Sequence, residues 1–429
     1  MRTVTPNTAA RQPATRPGRP LRVVLVDEEL PYPPTSGKRI RTLNLTLRLA
    51  QRHRLTYVCH RNADAEEARI AAAFFAENGI ETVVVDRAVP PRSGPLFYAR
   101  LAANLFSPLP YSVASHTSRP LRDALAQLAA EDPPDLWHVE WTPYAQAISG
   151  MPGRRVVMAH NVESVIWRRY HETERNALKR WYVGRQWRKY QRFERDALGE
   201  ADLTIAVSEL DARRFRDDFG LGRVDVVDNG VDTDFFRPFD EVREPGTMLF
   251  LGSLEWRPNL DGVVQFVERV LPLIRREEPD ARLLLVGRNP PEWLRRLAAD
   301  TPNVELHGNV PDVRPFLARA GMLVVPLRIG GGSRLKILEA LASGTPVVST
   351  RVGAEGLELE PGKHFTQRED VDDLADGVLE LVRDPHRARQ QADAGREVVL
   401  RRYDWGRLAE QMERLWLSCA PTHNDDAEV

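Results

Sequence analysis

The chain has 429 residues, 42% of them hydrophobic, which is enough for two globular domains of about 100–200 residues each. Its 60 basic and 61 acidic residues leave a formal net charge of −1, so the overall charge gives no support to a nucleic-acid partner. The two cysteines, Cys59 and Cys419, are too few for a disulfide framework or a thiolate metal site, which fits a cytoplasmic protein.

Both ends of the chain have the composition of disordered tails. Residues 1–20 are rich in Arg, Thr and Pro, contain no acidic residue and lack the apolar core of a secretory signal. A transit peptide is the alternative interpretation, and a disordered tail is favoured. Residues 420–429 are also expected to be disordered. No stretch of the sequence approaches the ~18 apolar residues of a membrane span.

The first half of the chain alternates short apolar runs with helical patterns, which predicts a parallel sheet with crossover helices. The predicted strands are Leu21–Val26, Leu55–Cys59, Thr82–Val85, Leu136–Val139, Arg155–Ala159 and Leu203–Val207. One helix is predicted at Arg39–Gln51 and a long one at Ile166–Leu198.

The same alternation restarts after a polar, acidic join near Pro238–Pro245. Strands are predicted at Thr247–Leu251, Ala281–Val286, Val304–Leu306, Met322–Val325 and Pro346–Ser349, and helices at Leu260–Arg275, Glu292–Ala299, Val313–Arg319, Leu335–Ser343 and Val371–Arg383. We therefore predict an α/β protein in which two Rossmann-like domains, residues 21–237 and 246–400, face a cleft. Ligands are expected at the carboxyl ends of the strands.

A glycine-containing loop, Thr35–Arg39, follows the first predicted strand. It fails as a P-loop, because Tyr32 stands where the first glycine belongs and Arg39 where Ser or Thr must follow the lysine. Gly37 would let the backbone approach a ligand at the start of the helix and is a donor-binding candidate, although a plain tight turn explains it equally well. No G-x-G-x-x-G follows either leading strand, which leaves nicotinamide chemistry with little support.

The strongest local signal is Gly330–Ser333, three glycines and a serine that lead from a predicted strand into a helix. Exposed backbone N–H groups and the positive end of the helix dipole together suit a diphosphate. Arg334 and Lys336 lie in the first turn, where cations oppose the dipole, and a bound polyanion would resolve this conflict. Glu339 follows, and its carboxylate is a good acceptor for sugar hydroxyls. A helix start with a solvated Arg/Lys pair is the structural alternative.

Residues 331–349 resemble the donor motif of the GT-B glycosyltransferases of family 4, which contains two glutamates. Glu339 matches the second glutamate, which by resemblance holds the ribose of the nucleotide. Gly331 stands where the first belongs, so contact with the donor sugar must come from backbone amides of Gly331 and Gly332 or be absent. The run through Ser333 and Leu335 resembles most a subgroup of sugar transferases with Gly-Gly-Gly-Ser/Thr-Arg-Leu-Lys.

Further matches cover most of residues 21–418. The family has two Rossmann-like domains, retains the configuration of the sugar and needs no metal, so the resemblance implies a nucleoside-diphosphate sugar as substrate and no cofactor. Asn229–Asp232 resembles the segment that closes the first domain. Tyr403–Trp405 resembles the segment through which a C-terminal helix, residues 401–418, crosses back to it.

The family's usual diphosphate clamp is missing from the first loop of the donor domain. Gly252 matches this loop, but Ser253 replaces the clamping Arg, and Pro258-Asn259 stands where a Lys is expected. We infer that Arg334 and Lys336 supply this charge from the helix. Two further loops resemble those that hold the base; they contain Gly287, Arg288 and Val310.

His160 ends a predicted strand, where the family carries a His near the donor sugar. By this resemblance it hydrogen-bonds a sugar hydroxyl and is a catalytic candidate together with Arg334, Lys336 and Glu339. His138 and Glu140 end another strand and are expected to contact the acceptor or to have no role. No nucleophilic carboxylate is matched, so a front-side displacement, in which the leaving diphosphate accepts the proton of the incoming hydroxyl, is favoured.

The predicted helix at residues 166–198 is basic and aromatic. Trp, Tyr and Arg together suit an anionic membrane surface, and the alternative is a helix that buries its aromatic residues and solvates its basic face. The two interpretations are weighted equally. The protein is accordingly expected in the cytoplasm, either free or peripheral to the inner face of the membrane.

Three functions fit these features. The leading hypothesis is transfer of a hexose from a nucleoside-diphosphate sugar to a hydroxyl acceptor, such as a polysaccharide, a glycolipid or a small molecule. The second is a GT-B nucleotide-sugar epimerase or phosphorylase, for which the substitution at Gly331 leaves room. The third is a non-catalytic subunit that binds a sugar nucleotide. The base, the sugar and the acceptor are not encoded in these motifs.

Overall fold

The computed structural model describes residues 19–87, 93–239, 243–329 and 334–420. They divide into two compact units. Among the described residues, the first domain comprises those up to Asp228 together with those from Ala409 to Ala420, and the second domain comprises those from Asn229 to Leu408. The predicted boundary at residue 237 therefore moves to Asp228, because Val231 pairs with Asp404 and Phe236 is buried in the core of the second domain. The tails predicted at 1–20 and 420–429 lie almost wholly outside the described residues.

The first domain is built on seven parallel strands in the order β3-β2-β1-β4-β5-β6-β7. The strands are β1 (Arg22–Asp27), β2 (Arg54–His60), β3 (Glu81–Val85), β4 (Leu136–Val139), β5 (Arg154–Ala159), β6 (Leu203–Ala206) and β7 (Val224–Val226). The central strands are continuous buried apolar runs, as expected for a parallel sheet that is covered on both faces.

The helices of the first domain connect these strands. They are α1 (Gly37–Ala50), α2 (Ala65–Glu77), α3 (Pro95–Asn104), α4 (Tyr111–Ala114), α5 (Arg119–Glu131), a 3-10 helix (Thr142–Ile148), α6 (Glu163–Thr173), α7 (Ala177–Gly199) and α8 (Glu209–Asp217). The single helix predicted at 166–198 is wrong: it breaks into α6 and α7. The Asn176 side chain caps α7 by accepting a hydrogen bond from the Lys179 N–H group, which starts a new helix there.

The second domain contains six parallel strands in the order β10-β9-β8-β11-β12-β13. They are β8 (Glu244–Ser253), β9 (Arg282–Arg288), β10 (Val304–Gly308), β11 (Ala320–Val325), β12 (Val347–Ser349) and β13 (Thr366–Gln367). The helices are α9 (Arg257–Gln265), a π-helix (Phe266–Val270), α10 (Leu271–Glu277), α11 (Glu292–Asp300), α12 (Arg314–Arg319), α13 (Leu335–Ala342), α14 (Val371–Arg383), α15 (Pro385–Val398) and a second π-helix (Val399–Tyr403). The last helix, α16 (Trp405–Cys419), begins in the second domain and belongs to the first domain from Ala409 onward. The prediction of two parallel-sheet, Rossmann-like domains is confirmed.

The order of strands reverses at one point in each sheet. In the first sheet β1 lies between β2 and β4, and in the second β8 lies between β9 and β11. Crevices open at the carboxyl ends of strands where the order reverses, and ligands of open α/β sheets bind there. The residues that follow β1 and β4, and those that follow β8 and β11, are therefore the places to look for functional groups.

Candidate active site

Two glycines hold the strand ends of the second domain unusually close. Gly252 and Gly287 are direct partners in the register of β8 and β9. A Cβ atom on Gly287 would lie 1.8 Å from the carbonyl oxygen of Gly252. Gly252 itself has φ of +154°, which residues with a side chain rarely adopt. Both donor-binding candidates are thus required to be glycine by the backbone, and they leave the loop at the end of β8 open to close approach.

Lys336 brings a positive charge to the same loop. Its Nζ atom donates to Asn259 Oδ1 at 3.1 Å and lies 4.4 Å from the centre of the Phe250 ring. A Cβ atom on Gly252 would lie 2.8 Å from this Nζ. Asn259 in turn donates to the Ser253 carbonyl oxygen at 2.8 Å, so its amide links the ammonium to the loop. The lysine predicted to bind diphosphate therefore lies at the reversal point of the second sheet.

The surroundings of Lys336 weaken its hold on a proton. Burial and, to a smaller extent, the charge of Arg334 lower its pKa to about 7, although Glu339 acts in the opposite direction. An anion placed beside the ammonium would raise this pKa again, because it favours the charged form. A negatively charged ligand beside Lys336 would therefore stabilise the protonated, positively charged form of this side chain.

Arg334 and Lys336, which the sequence predicts to bind the diphosphate together, have different environments. Arg334 is buried, occupies the N-cap position of α13 and donates to the Val352 carbonyl oxygen at 2.8 Å. At least part of its guanidinium is thus committed to the fold of the second domain. Gly331, Gly332 and Ser333, the glycine-rich part of the predicted motif, lie outside the described residues.

Glu339 and Leu335 are four residues apart on α13 and therefore lie on the same face of the helix. Glu339 is partly buried and follows Lys336 by three residues, so both lie on neighbouring turns. Leu335 is partly buried and packs against the core of the second domain.

Polar side chains tie the loops after β8, β9 and β10 together. Ser253 and Asn289 both donate to Glu255 Oε1, at 3.3 and 3.2 Å. The Asn289 N–H group donates to Asn309 Oδ1 at 3.0 Å, and the Asn309 N–H group donates to the Gly287 carbonyl at 2.8 Å.

The predicted residues on these loops have separate environments. Arg288 is exposed at the end of β9, whereas Val310 is partly buried against the core. Sequence reasoning missed Glu255, Asn289 and Asn309. Asparagine directly after an apolar strand was the available signal, since both asparagines adopt the left-handed conformation that this residue tolerates.

In the first domain, the predicted loop at residues 35–39 is an ion-pair network. Lys38 Nζ lies 2.5 Å from Asp27 Oδ1, and Tyr57 donates to the other oxygen of this buried carboxylate at 2.7 Å. Arg39 binds Glu29 and Glu67. Gly37 is the first residue of α1, directly after the Ser36 cap. Because Lys38 and Arg39 form these ion pairs, carboxylates of the protein already neutralise the basic residues next to Gly37.

His160 lies beside a second buried carboxylate. Its Nε2 atom is 3.6 Å from Glu140 Oε2, beyond hydrogen-bonding distance. Burial lowers the pKa of His160, while Glu140 acts to raise it. Burial also opposes the charge of Glu140, but contacts with His138 and His160 hold the pKa of that carboxyl well below its usual range. His160 thus lies at the carboxyl end of β5 next to an ionised acid.

His138 has a structural environment. It is buried, accepts a hydrogen bond from Trp416 Nε1 at 3.1 Å and lies 3.2 Å from Glu140 through its other ring nitrogen. Thr42 completes the support of Glu140 with a hydrogen bond of 3.0 Å. His138 was predicted either to contact the acceptor or to have no role in the site, and this environment favours the second alternative.

In the basic aromatic segment, residues 166–198, some aromatic side chains are buried and others are exposed, so each of the two interpretations fits part of it. Tyr190 and Phe193, in the second half of α7, are buried with Val113 in a small apolar cluster. Tyr170 and Trp181, on α6 and at the start of α7, are instead exposed. No helix among the described residues is both long and apolar enough to cross a membrane.

Comparisons with known proteins agree with this architecture. A family model described as Glycosyltransferase Family 4 matches residues 35–235, and one described as Glycosyl transferases group 1 matches residues 245–384. Among solved structures, sucrose-phosphate synthase from Thermosynechococcus elongatus has a TM-score of 0.66 at 17% identity, covering 92% of this chain and 98% of that one. Anabaena Alr3699/HepE in complex with UDP and glucose has a TM-score of 0.63 at 14% identity, covering 93% and 100%.

Curated relatives match a smaller part of the chain. The GDP-mannose-dependent monoacylated alpha-(1-6)-phosphatidylinositol monomannoside mannosyltransferase of Corynebacterium glutamicum is 29% identical over 236 residues, 50% of this chain and 62% of the relative. The GDP-mannose-dependent alpha-(1-6)-phosphatidylinositol monomannoside mannosyltransferase of Mycolicibacterium smegmatis is 31% identical over 240 residues, 49% and 62%. The chain thus spans less than two thirds of these relatives' length.

Proposed function

The chain is a family 4-like glycosyltransferase with the GT-B fold, and from this premise we propose that it moves a hexose from a nucleoside-diphosphate sugar to a hydroxyl acceptor with retention of configuration. The observation that carries the proposal is the position of Lys336. Its ammonium lies beside the glycine loop at the end of β8, tied to it through Asn259. A diphosphate bound there would gain a buried positive charge and nearby backbone N–H groups.

The reaction we propose is a front-side displacement. The bond between the sugar and the diphosphate breaks, the acceptor hydroxyl forms a new bond on the same face, and its proton passes to the leaving diphosphate. Lys336 would neutralise the charge that develops on this leaving group, Glu339 would hold the ribose, and His160 would orient a sugar hydroxyl. The chain's contribution is then mostly positioning and charge stabilisation.

The relatives suggest where to begin with substrates. Both mannosyltransferases named above are GDP-mannose-dependent and act on a phosphatidylinositol mannoside. We therefore propose GDP-mannose as the first donor to test and a glycolipid as the first class of acceptor. UDP-glucose is the second donor, because UDP and glucose are bound in the Anabaena structure.

The decisive experiment measures transfer by the full chain from each donor to lipid and glycan acceptors. Lys336→Ala is expected to raise the KM for the donor and to lower kcat about tenfold or more, because a charge contact to the leaving group is lost. Lys363→Ala is the matched control, since Lys363 is exposed and bonded to Glu360 in the same domain. Unchanged kinetics in Lys336→Ala would remove this lysine from donor binding.

The products separate the alternatives. Nuclear magnetic resonance of the glycoside should show the anomeric configuration of the donor; inversion would exclude the front-side mechanism. An epimerised nucleotide sugar, or a sugar phosphate formed with inorganic phosphate, would replace the transferase by an epimerase or a phosphorylase. Donor binding with no turnover on any acceptor would indicate the non-catalytic subunit.

Association with an anionic membrane surface through residues 166–198 is a separate part of the proposal. The exposed Tyr170 and Trp181 beside basic residues support it. Co-sedimentation should be found with vesicles that contain phosphatidylglycerol and be lost when both aromatic residues are replaced by serine. Equal recovery with neutral vesicles, or none with either, would remove the membrane from the proposal.

A further inference from the structure

The first domain contains a cavity of about 700 Å³ that is lined by α7, by β5 and by the turn after α3. Its apolar lining comes from Leu105, Leu109, Ile148, Val157 and Phe193. A volume of this size accommodates part of a small organic molecule, because ligand pockets commonly measure about 300–1,000 Å³.

This cavity is distinct from the candidate active site. Arg155, the second residue of β5, and Ala201, which precedes β6, both line it. It therefore reaches the edge of the sheet at which the strands begin. His160 and Glu140 follow the opposite, carboxyl ends of β5 and β4. A ligand of this cavity would not be the donor or its reacting partner.

Cations line one side of the cavity. Arg185, Arg188 and Arg192 follow one another at spacings of three and four residues, which places them on one face of α7. Arg185 donates to the Leu105 carbonyl oxygen at 3.4 Å, and the neighbouring Lys189 donates to the Asn104 carbonyl oxygen at 2.5 Å. These two cations hold the turn after α3 in place.

Arg188 and Arg192 are differently placed. Both are exposed, and neither forms a hydrogen bond or an ion pair with any residue in the part of the chain that the structure describes. The acidic residues that line the cavity, Asp196 and Glu200, are exposed about one and two turns beyond Arg192, toward the end of α7, and no ion pair joins either of them to Arg188 or Arg192 in the described residues. Two guanidinium groups therefore stand over an apolar cavity with their donors available to an anion.

Exposed apolar side chains adjoin the same surface. Phe106, which lines the cavity, is 93% exposed. Leu96 and Tyr98 on the preceding helix α3 are exposed as well, as are Leu178 and Trp181 at the start of α7. Exposed large apolar side chains at and near a cavity are typical of a surface that contacts an apolar partner.

We propose that this cavity binds one anionic phospholipid, with the phosphate held by Arg188 and Arg192 and the first carbons of an acyl chain against the apolar lining. The guanidinium fork matches phosphate oxygens in geometry and charge. The remainder of the acyl chain would lie beside Phe106. A free phosphate would use the two arginines but not the apolar lining, and a neutral lipid would use the lining but not the arginines. The site does not depend on the proposed transferase activity.

The test uses a lipid that is monomeric in solution, so that binding to a cavity is separated from adsorption to a membrane. Dihexanoyl phosphatidic acid below its micelle concentration is titrated into the full chain by calorimetry. One saturable site for the phosphatidic acid is expected. Dihexanoyl phosphatidylcholine and inorganic phosphate should each bind at least about tenfold more weakly than the phosphatidic acid.

Two variants locate the site. Arg188→Ala combined with Arg192→Ala should weaken binding of the phosphatidic acid about tenfold or more, because two charged hydrogen-bond donors are lost. Phe106→Ser should weaken binding of the lipid and leave that of inorganic phosphate unchanged. The control pair Arg175→Ala and Arg180→Ala removes the same charge from exposed residues that do not line the cavity, and should change affinity less than about twofold.

Several results would overturn the proposal. The first is that the phosphatidic acid does not bind, and the second is that all three probes bind with equal affinity. The third is that the test pair and the control pair of substitutions reduce the affinity for the phosphatidic acid equally. Thermal unfolding of each variant shows whether it is folded. If the alanine pair fails to fold, Arg188→Gln with Arg192→Gln retains the length of the side chains and gives the same comparison. Transfer to a water-soluble acceptor should be unaffected by these variants, which keeps the result separate from that for Lys336.

Discussion

Lys38 and Lys336 occupy similar places in the two domains, at the start of the helix that enters beside the reversal point of each sheet. Burial opposes the charge of both. Asp27 and Glu28 nevertheless raise the pKa of Lys38 above its usual value, whereas burial and the charge of Arg334 lower the pKa of Lys336 to about 7, and its hydrogen-bond partner is the neutral amide of Asn259. The first lysine is neutralised within the protein, and the second is available to an external anion.

The pH dependence of donor capture should report this difference. Below its pKa Lys336 carries the charge that attracts a diphosphate, and as the pH rises through about 7 the free enzyme loses that charge. We therefore expect kcat/KM for the donor to fall above about pH 7 in the wild type. Lys336→Arg should keep its charge and give a flat profile. A wild-type profile that is flat from pH 6 to 9 would contradict the assignment, and Lys363→Arg provides the unaffected control.

Gly287 offers a test of the backbone contact between β8 and β9. Gly287→Ala should destabilise the second domain by about 3 kcal/mol or more, because the new Cβ cannot avoid the Gly252 carbonyl oxygen without moving a central strand. Gly246→Ala, on the neighbouring strand β8, is the control, since its Cβ would meet its nearest neighbour at 4.0 Å. Urea unfolding followed in both variants should separate them; similar losses would show that the close approach is relieved at little cost.

At the scale of elements, the sequence predicted buried strands well because each is a short apolar run bounded by polar residues. The residues at which helices begin and end were harder to predict. The break between α6 and α7 depends on the cap by Asn176 within a segment that is otherwise continuous in helical pattern. It also depends on Glu194 of α7, which accepts from the N–H groups of Glu163 and Ser164 at 2.8 and 3.1 Å and so caps α6. Such a contact spans thirty-odd positions of the chain and leaves no local pattern.

Glu194 should give the first domain a distinctive pH dependence. Burial raises its pKa to about 7, despite the opposing hydrogen bonds from Ser164 and Glu163. The folded state therefore binds the proton more tightly than the unfolded state, and its stability should fall as the pH rises from about 4.5 to 7, by roughly 3 kcal/mol for a shift of this size. In Glu194→Gln this slope should disappear. Free energies of unfolding measured between pH 5 and 8 check it, with the exposed Glu200→Gln as control; parallel curves for all three proteins would refute it.

At the scale of the whole molecule, the two-domain architecture followed from the restart of the strand and helix pattern. The boundary could not be placed from composition. Polar residues near Pro238 suggested a linker, but Val231 and Phe236 belong to the second domain through contacts with distant residues. The position of Asn259 beside Lys336 was also not predictable, because it depends on a hydrogen bond between residues 77 positions apart rather than on either segment alone.

The last described helix provides a test of how the first domain is completed. Trp416 is fully buried and donates to His138, and Glu413 binds Arg52 at 2.6 Å. Trp416→Ala should lower the free energy of unfolding of the first domain by about 3–5 kcal/mol, since a large side chain and the partner of a buried histidine are lost together. Leu417→Ala, exposed on the same helix, should change it by less than about 0.5 kcal/mol. Equal effects in a thermal melt would show that the helix end is not part of the fold.

Because residues from Ala409 onward are part of the first domain, that domain is encoded by two separate stretches of the gene. During synthesis its sheet can assemble early, but Trp416 reaches His138 only after the entire second domain has left the ribosome. The same arrangement dictates how chimeras with related enzymes should be designed. A donated second domain needs two junctions, after Asp228 and after Leu408, and a single crossover would supply the first domain with a foreign final helix.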